Sequence, residues 1–161
     1  MKLKIFSIAL FSFVFVFYAC NDSTTTTPAP AVKTKTDLLC FSNWTKSAAT
    51  ISPGINLGGG SLVTNLFTLL DSCDLDDYYK FNADKTGKDD MGVNKCDPTD
   101  PQSYPFTWEF LANETKLSFD GDTLDIATLN ETTLITKLTI DGEEVGGTKG
   151  TMHTITTTFK H

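Results

Sequence analysis

The sequence predicts an all-β domain, a small antiparallel up-and-down barrel of about eight strands with one short helix between the first two. Three observations predict it. Beyond Lys35, apolar and polar residues alternate with period two in one short run after another, the pattern of strands with one buried face. The runs are rich in threonine and aromatic residues, which suit a pleated, half-buried surface. Turn signals separate them: Asn113-Glu114-Thr115, Asp120-Gly121-Asp122, Asn130-Glu131 and Asp141-Gly142. No connector in the second half is long enough for a crossover helix, so neighbouring strands are antiparallel. Closing about eight of them into a barrel removes the exposed edges.

The elements follow in order. Cys40 to Ile51, carrying Trp44, reads as the first strand. Pro53-Gly54 and Gly58-Gly59-Gly60 then make a loop. Leu62, Leu66, Leu69 and Cys73 recur at three and four residues, which predicts a short amphipathic helix capped by Ser61. Tyr79 and Phe81 share one face of a short strand, and Met91 to Cys96 reads as a weak one. Phe106, Trp108 and Phe110 share a face, as do Leu117 and Phe119, Leu124 and Ile126, and Leu134, Thr136, Leu138 and Ile140. The last strand spans Lys149 to Lys160, with His153, Ile155, Thr157 and Phe159 on one side. His161 follows and is expected to be mobile.

The first 19 residues are not part of that domain. Lys2 and Lys4 precede an apolar run from Ile5 to Ala19, and Cys20 follows. A charged start, an apolar core and a small residue before the cut describe a secretory leader, and its closing cysteine resembles a bacterial lipoprotein signal. The run is shorter than the roughly twenty residues a spanning helix needs. We therefore expect residues 1–19 to be a signal peptide, Cys20 to carry the lipid that attaches the chain to a membrane, and residues 20–35 to be a Thr- and Pro-rich spacer. The domain occupies residues 36–161. A lipoprotein of the outer membrane is the expected location. Asp22 is the single acidic residue directly after Cys20, so the periplasmic face is favoured over the cell surface.

Charge narrows the partners. The chain has a net charge of −7 and no arginine. Arginine is the preferred residue for bidentate phosphate and base contacts, so no nucleic-acid partner is expected. Three thiols remain beside Cys20. In an oxidising compartment we expect Cys73 and Cys96 to pair, leaving Cys40 as a buried free thiol, although spacing alone leaves other pairings open. Two histidines and no Cys-x-x-Cys give no zinc pattern, and we expect no cofactor. Asn82-x-Asp84-x-Thr86-Gly87 resembles half a calcium loop, but Val93 stands where the closing glutamate belongs, and a hairpin turn is the simpler reading.

The ordered pieces resemble a family. Cys73-Asp74-Leu75-Asp76-Asp77-Tyr78-Tyr79-Lys80-Phe81-Asn82-Ala83-Asp84 is similar to a segment of lipocalin-like domains in Bacteroidetes lipoproteins. So are Cys96-Asp97-Pro98, Thr107-Trp108-Glu109-Phe110, Lys116-Leu117-Ser118-Phe119, Asp125-Ile126-Ala127-Thr128-Leu129 and Thr133-Leu134-Ile135-Thr136, with Leu38-Leu39 and Trp44 at the start. The resemblance implies a small barrel on a lipid anchor. It departs from better-known lipocalins in two places: Ser42-Asn43-Trp44 stands for Gly-x-Trp, and no arginine near the end packs over that tryptophan.

Trp44, Tyr79, Phe81, Phe106, Trp108, Phe110, Phe119 and His153 are the candidate lining of a cavity. His153 alternates with apolar residues, and no serine lies in a nucleophile turn, so no enzymatic activity is expected. The expected function is binding of a small apolar or amphipathic ligand in the cell envelope. The alternative is a barrel packed solid that contacts an envelope protein or glycan through its loops.

Overall fold

The computed structural model describes residues 32–161, apart from Gly59. The leader, Cys20 and the first part of the spacer lie outside the described residues. The chain forms a short helix α1 (Lys35–Cys40), then β1 (Asn43–Asn56), β2 (Leu62–Asn65), β3 (Tyr78–Phe81), β4 (Thr86–Asp90), β5 (Ser103–Leu111), β6 (Lys116–Phe119), β7 (Asp122–Leu129), β8 (Thr133–Asp141) and β9 (Met152–Lys160). From β3 to β9 each strand pairs antiparallel with the next, and β9 returns to pair with β1. Eight strands, β1 and β3 to β9, therefore close into a barrel, as the alternation predicts.

β1 is long enough to serve three neighbours. On one edge Thr45 to Ser52 pair with β9. On the other, Asn43 to Thr45 pair with β3, and the far half pairs with β2 through Ile55↔Val63 and Asn56↔Leu62. Against β9 the register shifts between Lys46 and Ala48. This bulge turns the buried set from even to odd residues, so Trp44 points inward before it and Ala49, Ile51 and Ile55 after it.

The short helix stands ahead of β1 and not between the first two strands. Thr34 and Lys35, assigned above to the spacer, are its cap and first residue: the Thr34 side chain accepts from the Asp37 N–H, and Asp37 accepts from Thr34 N in return. The Ser61–Cys73 segment is β2 and two 3-10 turns, Phe67–Leu69 and Ser72–Asp74. Its leucines have no core to face, and Leu62 and Leu69 are 67% and 53% exposed. Gly54 explains why the segment pairs instead, since a Cβ there would meet Thr64 Cγ2 at 2.9 Å. Met91 to Cys96 is a loop, and the strand lies just before it at β4.

The turns behave according to their side chains. Asp120 and Gly121 both have positive φ, 51° and 84°, and make the two-residue hairpin between β6 and β7. Asn130 Oδ1 accepts from Thr132 N and Thr133 N between β7 and β8. Asn82 to Thr86 form the β3–β4 hairpin, where Asp84 Oδ1 accepts from Thr86 N at 3.0 Å. Asp141-Gly142 does not make a tight hairpin. The Asp141 carboxylate accepts from Glu143 N and Gly150 N, which folds residues 142–151 into a compact loop before β9.

The core runs along the barrel axis. Leu39, Trp44, Phe81, Phe106, Trp108, Leu117, Phe119, Leu124, Leu134 and Phe159 form one buried cluster. α1 closes one end, with Leu39 fully buried and its carbonyl accepting the Trp44 indole N–H at 2.8 Å. Near the other end Cys73 and Cys96 form the expected disulfide, tying the second 3-10 turn to the β4–β5 loop. Cys40 is free and half-buried at the end of α1.

Two stability outcomes follow. Replacing both Cys73 and Cys96 by alanine frees a link across 23 residues and lowers unfolding free energy by about 3 kcal/mol, read from the urea midpoint under oxidising conditions. Gly87→Ala forces a Cβ to 2.2 Å from Phe106 Cε2, and the crowding costs about 1–3 kcal/mol by the same assay.

Candidate functional site

The barrel interior gathers seven of the eight sequence-predicted lining residues. Trp44, Phe81, Phe106, Trp108 and Phe119 belong to the buried cluster, and Tyr79 and Phe110 pack against it. Their rings touch edge to face. Phe81 lies 5.3 Å from Phe106, 5.8 Å from Trp108 and 5.3 Å from Phe119, while Tyr79 reaches Phe119 and Phe159 at 5.5 and 5.7 Å. These are the spacings at which aromatic quadrupoles attract. The Trp108 indole N–H is satisfied by the Asn82 carbonyl at 3.0 Å, and the Lys85 ammonium sits 3.8 Å from its ring centroid.

His153 stands apart. It lies opposite Ile140 on β8, toward the end of the barrel that α1 does not cover. Its ring is 4% exposed and its Nδ1 is 2.7 Å from the Pro53 carbonyl. Pro53, Gly54, Ile55, Asn56 and Leu62 from the β1–β2 hairpin meet Gly146, Gly147, Thr148 and Thr151 of the β8–β9 loop around it. Together they bound a recess of about 420 Å³, within the size range of small-molecule sites.

A second, smaller recess of about 270 Å³ opens at Lys46, Leu70, Asp74, Asp77 and Tyr79. The sequence offers Asp89 only as a possible oxygen donor beside the half calcium loop and does not place it on the inner face. Asp89 pairs with Tyr79 across β3 and β4, so the two side chains share a face. Gly87, two residues earlier on that face, is buried against Phe106. Asp89 Oδ1 is buried with no hydrogen-bond partner. Desolvation, with Asp77 and Asp120 nearby, pushes its carboxyl up to about 6, although Lys46 acts the other way. Burial likewise raises Asp77, and burial beside Asp89 raises the Tyr79 hydroxyl. Asp76 is held low instead, because the Val93 and Asn94 backbone N–H groups donate to it. Alternation from Gly87 to Asp89 was the available signal, and it is readable only once β4 is placed before Met91.

A family model for the lipocalin-like domain matches residues 42–136. The chain belongs to the lipocalin-like domain family. No curated protein matches it. The matched part runs from the start of β1 into β8, so β9, which closes this lipocalin-like barrel, lies beyond it. His161 lies beside Trp44 of β1. Its ring stands 5.0 Å from that of Trp44, nearly perpendicular, and its Nε2 pairs with the Glu131 carbonyl. His161 is exposed and contacts Trp44 and Phe41 at the end that α1 closes.

The raised Asp89 carboxyl fixes a pH dependence. The unfolded chain gives up this proton near the ordinary value of 3.8, whereas the folded chain keeps it to about 6. The native state holds the extra proton in that window, so this group's contribution makes stability fall as pH rises from about 4 to 6. Asp89→Asn removes that contribution and is more stable than the parent at pH 7, with the two converging below pH 4, as thermal melts across that range will show.

Proposed function

We propose that this protein is a lipid-anchored binding protein of the bacterial cell envelope, taking a small apolar or amphipathic molecule at the uncovered end of its barrel. One observation carries the reading: the recess of about 420 Å³ beside His153, where Ile55 and Leu62 supply apolar surface next to polar groups. The aromatic rings fill the axis with one another, so the reading seats the ligand above them. Binding is favoured over catalysis because His153 Nδ1 is engaged by a backbone carbonyl and, among the described residues, no carboxylate bonds to the ring.

The attachment rests on the leader. The apolar run from Ile5 to Ala19 ending at Cys20 supports acylation of that cysteine, and the single acidic residue Asp22 after it supports the periplasmic face of the outer membrane. An acidic, arginine-free chain supports no role in binding nucleic acid.

The second reading is an interaction module with a solid interior, and the edge-to-face contacts among Tyr79, Phe81, Trp108, Phe119 and Phe159 are the observation that favours it. Native mass spectrometry of the protein from its own host separates the two. A carrier retains an extra mass that leaves on denaturation; a bare polypeptide mass in every preparation supports the module. Cys20→Ala moves the protein from the membrane fraction to the soluble fraction, and an unchanged membrane fraction rules out the anchor.

A further inference from the structure

We propose that the recess beside His153 takes a neutral, hydroxyl-bearing amphiphile, such as an alcohol or a glycoside with an aliphatic part, whose O–H donates to His153 Nε2. This rests on the reading of the recess as the ligand site and names the chemistry it selects. The argument begins at the other nitrogen. A carbonyl oxygen can only accept, so the 2.7 Å contact with Pro53 O puts the proton of the neutral ring on Nδ1. Nε2 is left with its lone pair and no hydrogen-bond partner among the described residues. His153 is one of the residues that line the recess, so the ring carrying this nitrogen borders it. Gly142 approaches that nitrogen closely, since a Cβ there would lie 3.1 Å from Nε2 and 2.6 Å from the Thr148 carbonyl oxygen.

A buried histidine, 4% exposed as a residue, with one nitrogen tied down and the other presenting a lone pair, is a fixed acceptor. What fits it is a donor. The lining distinguishes among donors because it contains no charged side chain, in a protein of net charge −7. An ammonium would find no carboxylate there and an anion would find no cation, and either would be desolvated without a partner. A metal ion would find a single nitrogen. The one cluster of metal-ligand type among the described residues is Cys73, Asp74 and Cys96, and its two cysteines are disulfide-bonded. A hydroxyl group, in contrast, can donate to Nε2 and accept from the Asn56 side-chain amide. The Asn56 Oδ1 is already held by Gly58 N at 2.9 Å, which turns the amide's role toward donation. Ile55 and Leu62 then take the aliphatic part.

The test uses the full chain in lipid nanodiscs, labelled with nitrogen-15 at histidine alone. Two histidines give two imidazoles, assigned with His161→Gln. The probes are butyl β-glucoside, butylammonium and butanesulfonate. Butyl glucoside is expected to move the Nε2 resonance of His153 upfield, as accepting a hydrogen bond does, and to bind at least tenfold more tightly than either charged probe. His153→Phe is expected to weaken it about tenfold, and if that variant fails to fold, the Nε2 shift in the parent decides. Tighter binding of a charged probe, or glucoside binding with the Nε2 resonance unmoved, overturns the hydroxyl assignment and leaves the recess as a ligand site. No response to any probe, together with a bare mass in the native spectrum, overturns both.

Discussion

The whole architecture depends on how β1 divides its hydrogen bonds. One edge is given to β9, and the other is split between β3 near α1 and β2 toward the far end. Without the first pairing the sheet stays open; without the split, the outer half of β1 would present unpaired N–H and C=O groups along a bare edge. The bulge after Lys46 makes this possible with one strand. It lets Trp44 enter the aromatic cluster and, past the bulge, lets Ile51 and Ile55 face inward where the even residues would otherwise have done so. The recess beside His153 is a product of the same arrangement, because Pro53 to Asn56 exist as a wall only where β1 outruns β3 and is backed by β2.

The interior and the mouth do different physical work. Along the axis, rings pack edge to face and the two buried indole N–H groups find the Leu39 and Asn82 carbonyls, so the polar handles of the tryptophans are satisfied. This is the part of the barrel that gives rigidity. Toward the far end the composition changes. His153 is buried there, Asp89 carries a buried oxygen without a partner, and the loops are fastened by a disulfide, by Asp76 and by Asp141. Polar groups concentrated on firmly held loops above a dry core are the usual layout of a site on a scaffold.

Much of this was legible in the residues, and the failures have causes. Phe106, Trp108 and Phe110 alternate without interruption, and so do His153, Ile155, Thr157 and Phe159, because those strands run without a bulge on that face. The strand at β4 was hidden because its inward positions are Gly87 and Asp89, neither of which looks apolar. The leucines from Leu62 to Leu69 mimic a helix, and only the close approach allowed by Gly54, a tertiary contact, makes a strand there. Asp141-Gly142 carries a strong hairpin signal, yet the same aspartate can cap a 3-10 turn and did so, since Gly150 N was within its reach. His153 was visible as an inward residue. Its separation from the aromatic set was not, because it depends on how residues 142–151 fold.

The pairing of β1 with β9 has a temporal consequence. Ser47 hydrogen-bonds to the Thr158 carbonyl across 111 positions of sequence, so the sheet cannot be sealed until the last strand is present. Every earlier stage of synthesis leaves the sheet with two open sides and part of its aromatic surface uncovered. Contacts this distant in sequence form slowly, and the unfinished ribbon is a species that sticks to its own kind. A chain that stops short of Phe159 therefore lacks both the strand that seals the sheet and one of the rings of the buried cluster.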